Sequence, residues 1–283
     1  MPKKLLSISR QQAIAPFPKR PSDSHKGLCG SVGIIGGDNG MVGAALIAGR
    51  AALKLGSGLV HVGLLAEGAP TVDLLQPELM IHPADEILKL AKLNVIAIGN
   101  GLGRSLSAQK ILYDALKLES TLVVDADALN ILAARPDLRA MLLERKSANI
   151  ITPHPGEAAR LLNCSTDEVQ SDRQSAVLEL AKRLRCSVVL KGANSLIATS
   201  DGRLLLNKTG NPGMSSAGMG DALSGIIAAF IAQGMTADDA LILAVYLHGA
   251  AGDALAEQVA SIGMNATEVI EWSRWLLNQW LAK

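Results

Sequence analysis

A carboxylate follows a loop of small residues in the last third of the chain. The segment Asn211–Asp221 reads Asn-Pro-Gly-Met-Ser-Ser-Ala-Gly-Met-Gly-Asp, and apolar residues then recur at helical spacing, at Leu223, Ile226, Ile227, Phe230 and Ile231. Backbone N–H groups at a helix start have no acceptor within the helix and lie at the positive end of its dipole, so this loop predicts a phosphate site. Asp221 stands beside that site, where a carboxylate can take a proton from an attacking hydroxyl group.

A simpler interpretation of Asp221 is that it caps the helix, because Asp is a favoured N-cap residue. No lysine follows the loop, as the common phosphate-loop motif would require. From this loop alone, the general-base and capping interpretations both stay open.

Short apolar segments alternate with helical patterns along most of the chain. The predicted strands are 32–35, 59–65, 94–98, 121–124, 149–151, 187–190, 196–199 and 203–206, the last two forming a hairpin. The predicted helices are 44–55, 107–118, 172–184, 219–233, 237–257 and 266–281. This order predicts an α/β fold with three α-β-α layers, in which helices cover both faces of a mostly parallel sheet.

The chain shows no internal repeat and no linker composition, so we expect a single domain over 1–283. The polar, proline-containing residues 1–23 are expected to form an extended N-terminal arm. Ligands of open parallel sheets bind at the carboxyl ends of the strands. The unusual glycine-rich and polar segments follow predicted strands, at 36–43, 99–104, 125–130, 152–157 and 191–195, which predicts one composite site.

Carboxylates and one histidine follow two of these strands. Asp125 and Asp127 are candidates to support a hydrated metal ion or a substrate hydroxyl, with helix capping by Asp127 as the alternative. His154 lies between two prolines before a helix, so its backbone is rigid and the direction of its imidazole is fixed. A purely structural role for this histidine stays open. Glu157 falls in the first turn of that helix, where it either caps or supports a hydrated Mg²⁺ near phosphates.

The segment Lys191–Ser195 links a buried strand to the hairpin. Lys191 can contact a phosphate as a point charge, and Gly192 lets the backbone approach a base or ribose closely. Alone the segment would be a plain turn. Together with the loop before Asp221 it can bracket a nucleotide. The glycine-rich segments do not match the dinucleotide fingerprint G-x-G-x-x-G, which disfavours a classical dinucleotide-binding fold.

Charge and composition narrow the partners and the compartment. The formal charge of the 283 residues is +1, so neither nucleic acid nor an anionic membrane surface is expected as a partner. No uninterrupted apolar run approaches the ~20 residues of a membrane helix. Three cysteines without metal-type spacing, and no signal-peptide pattern, predict a cytoplasmic protein. Three tryptophans in the last helix are expected to pack on the core or on a neighbouring subunit, and we expect a homo-oligomer.

Taken together, the motifs resemble one family. The segments that carry the resemblance occur in this order: Ser24–Gly27, Gly36–Ala45, Gly101–Gly103, Asp125–Asn130, Thr152–Glu157, Lys191–Ala193 and Asn211–Asp221. The combination is similar to the ADP-dependent NAD(P)H-hydrate dehydratases, a branch of the ribokinase-like fold, over about residues 20–260. No single segment is specific, but the set is.

The resemblance implies a repair reaction on damaged NADH or NADPH that carries a hydroxyl group on the nicotinamide ring. ADP donates a phosphoryl group to this hydroxyl, and elimination of phosphate restores the ring double bond, with Mg²⁺ as the cofactor. The products are the reduced dinucleotide, AMP and phosphate. Because the chain is too short for an additional epimerase domain, it is expected to act on the S epimer alone and to depend on a separate epimerase.

The resemblance also implies roles for individual residues. Asp221 is the catalytic base, and Gly218, Met219 and Gly220 form the anion hole. The implied ADP-binding residues are Lys191, Gly192, Ala193, Asn194, Ser195 and Gly220. The implied contacts to the hydrated dinucleotide are Ala45, Gly103, His154 and Asp221. No direct metal ligand is expected, although Glu157 can act through water.

His154 occupies the position where sugar kinases of this fold carry an asparagine, while Glu157 is kept, which favours the dehydratase. The first alternative is a kinase for a vitamin precursor or another small alcohol, which would use Asp221 in the same way and release a stable phosphoester. The second alternative is a nucleotide-binding regulator without catalysis. Asp221 argues against the regulator, because a carboxylate beside a phosphate weakens binding.

Overall fold

A computed structural model describes residues 4–282 as a ten-stranded sheet covered by helices on both faces. The strands are β1 (Leu5–Ser7), β2 (Ser31–Gly36), β3 (Leu59–Leu64), β4 (Met80–Pro83), β5 (Val95–Ile98), β6 (Thr121–Val124), β7 (Asn149–Ile151), β8 (Ser187–Leu190), β9 (Leu196–Ala198) and β10 (Leu204–Leu206). Their order across the sheet is β1-β10-β9-β8-β7-β6-β5-β2-β3-β4. All neighbours are parallel except β8 with β9 and β9 with β10, so the mostly parallel sheet is confirmed.

Twelve α-helices connect and cover these strands within the described residues. They are α1 (Arg10–Ile14), α2 (Val42–Lys54), α3 (Ala84–Ile87), α4 (Leu106–Ala115), α5 (Ala126–Ala134), α6 (Pro136–Glu144), α7 (Pro155–Leu162), α8 (Thr166–Ser171), α9 (Arg173–Leu184), α10 (Met219–Ala232), α11 (Ala237–Gln258) and α12 (Ala266–Leu281). Every strand and helix predicted from the sequence forms within a few residues of its expected bounds. Strands β1 and β4 and helices α1, α3, α6 and α8 were not predicted.

The sheet separates two hydrophobic cores, which explains why its central strands are apolar without interruption. Along β6, Val123 packs into the core beneath α2, α10, α11 and α12, whereas Leu122 and Val124 face the core beneath α3 to α9. Successive side chains of a strand point to opposite faces, and here both faces are buried. These two cores give the three-layer α-β-α architecture.

The N-terminal residues differ from the expected extended arm. Leu5–Ser7 pairs with Leu204–Leu206 as a parallel edge strand, and Arg10–Ile14 forms a short helix. Ser9 and Gln12 form a capping box at the start of this helix. The helix was not predicted, because the prolines that follow it indicated an extended segment. The arm is therefore partly built into the sheet.

By length and mean hydropathy, α11 could cross a membrane, although it carries Asp238 and Asp239 in its first turn. Most of its residues are buried, against α10, α12 and the sheet. A central helix of a large core meets the same criteria. Acidic and polar residues interrupt its apolar pattern, so α11 contains no uninterrupted apolar run of the length expected for a membrane helix.

The strand order reverses between β2 and β5. From β2 the chain continues outward through β3 to β4, and it then returns to β5 on the other side of β2 and continues toward β8. Loops that leave two such strands separate and open a crevice at their carboxyl ends. Here these loops are 37–41 and 99–105, and the start of α10 lies close to them.

Candidate active site

Asp221 is the third residue of α10 and does not cap that helix. The N-cap residue is Gly218, whose φ of 87° favours glycine, and no side chain caps the helix. Ala222 N donates to Gly218 O at 2.9 Å, so the amides of residues 218–221 precede the first turn and have no acceptor within the helix. The carboxylate of Asp221 instead accepts a hydrogen bond from Asn100 Nδ2 at 2.8 Å. The capping interpretation of Asp221 is therefore wrong.

A network of charged side chains lies beneath this helix start. Lys191 Nζ donates to Asp125 Oδ1 at 2.7 Å and lies 4.0 Å from Glu157 Oε2. The other oxygen of Asp125 accepts from Ser224 Oγ at 2.8 Å, and Oδ1 also accepts from the Ala126 amide. The network joins the ends of β6 and β8 to the starts of α7 and α10. Asp125, Lys191 and Glu157 were expected at the site from the sequence, whereas Ser224 of α10 was not predicted.

The charges in this network set the protonation of the site. Burial raises the pKa of Asp221 to about 6, against the Asn100 hydrogen bond and Lys191, which both lower it. Burial alone would lower the pKa of Lys191, but Asp125, Glu157 and Asp221 together raise it, so the ammonium group stays charged. Burial also raises the pKa of Glu157. A carboxylate with a pKa near 6 is suited to act as a general base near neutral pH.

The segment Lys191–Ser195 and the start of α10 line a cavity of about 520 Å³, the size of a small-ligand site. The other residues of its wall come from 207–212, Met214, Ser215, Leu223, Val245, His248 and Gly249. Within the segment, Gly192 has φ of 126°. A glycine at this point of the wall lets a ligand approach the backbone closely, and all six residues expected to bind ADP line the cavity: Lys191, Gly192, Ala193, Asn194, Ser195 and Gly220.

Arg173, at the start of α9, fixes the backbone of this segment by hydrogen bonds. Its guanidinium donates to the carbonyl oxygens of Leu190, Lys191 and Ala193, at 3.2, 3.1 and 2.7 Å. Arg173 was not predicted from the sequence, because nothing local to an arginine at a helix start shows that it contacts three carbonyl oxygens of a distant segment. His248, which is nine-tenths buried in the cavity wall, was not predicted either, because only the tertiary structure brings this residue of α11 to the cavity.

The other half of the cleft lies at the loops that follow β2 and β5. The Gly103 amide donates to Asp127 Oδ2 at 3.0 Å, and a Cβ atom on Gly103 would lie 2.7 Å from Asp38 Oδ2. Gly103 thus lies where the loop passes closely over two carboxylates. Ala45 is fully buried in α2, so its side chain does not reach the cleft; the exposed residues of that helix start are Met41 and Gly43.

His154 is the N-cap residue of α7. Its Nδ1 accepts from the amide of Gly156 at 3.0 Å, and the Glu157 carboxylate accepts from the His154 amide at 2.8 Å. Burial and the nearby Lys191 lower the pKa of His154, which keeps Nδ1 free to accept. About half of the side chain stays exposed, and its Nε2 lies 3.3 Å from Glu157 Oε1. Asp125, and not Asp127, caps the preceding helix α5.

Whether the site can hold Mg²⁺ directly depends on free carboxylate oxygens. The described residues contain no group of three or more His, Cys, Asp or Glu side chains arranged for a metal ion. Both oxygens of Asp125 are engaged, and Glu157 accepts from a backbone amide. These residues fit an ion that phosphate oxygens and water coordinate, with Glu157 behind the water, because Mg²⁺ keeps several waters when it binds phosphates.

A ribokinase-like three-layer fold, with free amides at a helix start and a buried carboxylate beside them, is typical of nucleotide-dependent enzymes that act on a hydroxyl group. A family model described as NAD(P)H-hydrate dehydratase matches residues 32–274. The chain belongs to this family.

Individual relatives agree with that assignment. An ADP-dependent (S)-NAD(P)H-hydrate dehydratase of Neisseria meningitidis is 39% identical over 93% of this chain and 90% of its own length. A bifunctional NAD(P)H-hydrate repair enzyme of Coxiella burnetii is 42% identical over 93% of this chain but only 53% of its own length, so the chain spans about half of that relative. The crystal structure of the ADP/ATP-dependent NAD(P)H-hydrate dehydratase of Bacillus subtilis, co-crystallized with ATP/Mg²⁺, has a TM-score of 0.88, 29% identity, and coverage of 98% of this chain and 99% of its own.

Proposed function

We propose that the chain dehydrates the S epimer of hydrated NADH or NADPH, with ADP as the phosphoryl donor, and so repairs a damaged dinucleotide. One observation carries this proposal: the Asp221 carboxylate lies between free helix-start amides on one side and the β2–β5 crevice on the other. The donor and the acceptor hydroxyl would meet at this point. Membership of the dehydratase family and the names of its relatives support this substrate.

In the first step, Asp221 takes the proton of the ring hydroxyl as its oxygen attacks the terminal phosphorus of ADP. The bond from this phosphorus to the bridging oxygen breaks, and AMP leaves with the electron pair. The amides of Gly218, Met219 and Gly220 would stabilise the charge on the phosphoryl oxygens, since they are oriented before the reaction begins. Lys191 would add a fixed positive charge below them.

In the second step, the ring carbon–oxygen bond breaks and phosphate leaves. The neighbouring ring carbon loses a proton, and its electron pair restores the double bond. Bound Mg²⁺ would neutralise charge on the phosphates, held by them, by water and by Glu157 through water. The Lys191–Ser195 segment would contact ADP, while Gly103, His154 and the exposed residues Met41 and Gly43 at the start of α2 would line the dinucleotide half.

The test is to incubate the protein with separated S and R epimers of hydrated NADH, with ADP or ATP. The proposal expects the absorbance of reduced nicotinamide to return with the S epimer, with one AMP formed per molecule repaired from ADP. A stable phosphoester would instead indicate a kinase for small alcohols. Binding of the nucleotide without turnover would indicate a regulator.

Three wider expectations accompany this function. A separate epimerase would supply the S epimer from the R epimer, in keeping with relatives of about twice this length that are named bifunctional NAD(P)H-hydrate repair enzymes. A cytoplasmic location fits the repair of NADH and NADPH, and a homo-oligomer stays a prediction that size-exclusion chromatography with light scattering tests. Adding a purified epimerase to the assay should make both epimers usable.

A further inference from the structure

The side chain of Asn100 is fully buried at the end of β5 and reaches toward α10. Its Nδ2 donates to Asp221 Oδ1 at 2.8 Å, and its Oδ1 has no partner among the described residues. The amide therefore makes one side-chain hydrogen bond in the described structure, and that bond goes to the proposed base. The reverse orientation of the amide would place its oxygen against a carboxylate oxygen.

We propose that Asn100 is a positioning residue for Asp221, which orients the carboxylate and keeps it ionised in a buried site. The inference rests on the general-base role that the proposed function gives Asp221. It adds a residue that acts through Asp221 and does not itself touch the reacting atoms.

The backbone around Asn100 is held so that its side chain has little freedom. Asn100 O accepts from Gly37 N at 3.0 Å, and Gly99 N donates to Ile35 O at 3.0 Å, which fixes the loop to the end of β2. A Cβ atom on Gly36 would overlap Asn100 O, so this close approach requires glycine at that position. A donor fixed in this way loses little conformational entropy when it binds a carboxylate.

The electrostatics of Asp221 give the hydrogen bond its importance. Burial raises the pKa of Asp221, and Asp125 at the end of β6 raises it further. The Asn100 hydrogen bond opposes them and lowers the pKa more than Lys191 at the end of β8 does. Glu157 from α7 raises the pKa of Lys191, and Lys191 lowers the pKa of His248 from α11, but neither Glu157 nor His248 shifts the pKa of Asp221. Without Asn100, Lys191 would be the remaining side chain that lowers the pKa of Asp221.

The experiment removes the donor in two ways and follows Asp221 directly. Asn100→Ala shortens the side chain, and Asn100→Leu keeps its branched shape without the N–H. Thr152→Val is the matched control, because Thr152 is also buried at a strand end but makes no contact with Asp221. The full-length protein is labelled with ¹³C at aspartate carboxyls, the Asp221 signal is assigned by its loss in Asp221→Asn, and its chemical shift is followed against pH without ligands.

We expect the pKa of Asp221 to rise by about one unit or more in both Asn100 variants and to stay unchanged in Thr152→Val. The acid limb of kcat/KM should shift upward by the same amount, so the loss of rate is about tenfold below pH 6 and much smaller at pH 8. An unchanged Asp221 pKa in whichever Asn100 variant folds overturns the inference. If the pKa shifts but the wild-type protein does not dehydrate hydrated NADH, the proposed function fails while the interaction stands.

Discussion

The two sides of the cleft hold their functional groups by different means. On the donor side, the Lys191–Ser195 segment and the start of α10 line the cavity, and no side chain caps that helix, so its first amides are free for a ligand. On the base side, buried side chains fix one another by hydrogen bonds: Asn100 donates to Asp221, and Lys191 donates to Asp125. We therefore expect the donor side to be sensitive to added side-chain atoms and to loop position, and the base side to be sensitive to the identity of single polar groups.

The largest effect should follow Asp221→Asn, which removes the base but keeps the shape of the side chain. We expect kcat to fall by about 10²–10⁴, the usual contribution of a general base, while ADP affinity changes little. Asp137→Asn, an exposed carboxylate of α6, is the control. Steady-state kinetics and ADP titration calorimetry measure the two sides separately, and a kcat within about threefold of wild type would remove Asp221 from the catalytic step.

The second effect is a pH dependence with a defined sign. The active form of Asp221 is the carboxylate, and its pKa is raised to about 6. The rate should therefore be constant above that pH and fall about tenfold for each unit below it. ADP affinity should not follow the same curve if the donor side depends on backbone amides. A pH profile of kcat that stays level to pH 4.5 would contradict this assignment of the base.

Gly220→Val tests the point where the two sides meet. Gly220 is not among the positive-φ residues, but a Cβ atom there would lie 3.3 Å from Lys191 Nζ and 3.5 Å from Asp125 Oδ2. A branched apolar side chain would press on this ion pair and displace the helix start, so we expect ADP affinity to fall about tenfold or more.

Gly43→Val provides a matched control for Gly220→Val. Gly43 is likewise the second residue of its helix, α2, and a Cβ atom there meets nothing within 4 Å. Its ADP affinity should remain that of wild type. Equal affinities in the two variants, both folded, would show that phosphate is not held at the start of α10.

The difference between the two sides also explains what the sequence could predict. Backbone sites leave a local signal, because Gly192 and Gly218 stand where the chain takes positive φ, and strand ends follow from apolar runs. Side-chain partners far apart in sequence leave none: Asn100 and Asp221 are 121 residues apart, and Ser224 and Asp125 are 99. Asp221 was predictable as a candidate base, because it is a carboxylate beside a glycine-rich loop at a helix start, but its partner Asn100 was not.

Arg173→Met should affect the donor side alone. Removing three hydrogen bonds to the carbonyls of the Lys191 segment frees its backbone, which must then be ordered again when ADP binds. We expect KM for ADP to rise about five- to tenfold, equivalent to about 1 kcal/mol, with kcat nearly unchanged. Arg183→Met, on the same helix but paired with Glu179 at the surface, is the control. A loss of kcat at saturating ADP would mean that the two sides are not separable.

The smallest effect is expected at His154, and it should be divided between stability and binding, because this residue caps α7 and is proposed to contact the hydrated dinucleotide. His154→Ala should lower the free energy of unfolding by about 1 kcal/mol, as the loss of a cap does, and raise KM for the hydrated dinucleotide a few-fold. His154→Asn supplies another favoured cap and should restore stability but not KM. Chemical denaturation and kinetics on both variants separate the two roles. If His154→Asn restores KM as well, the histidine serves the site through the helix cap alone, and if ADP affinity collapses in either variant, the cleft is not divided into a donor half and a dinucleotide half.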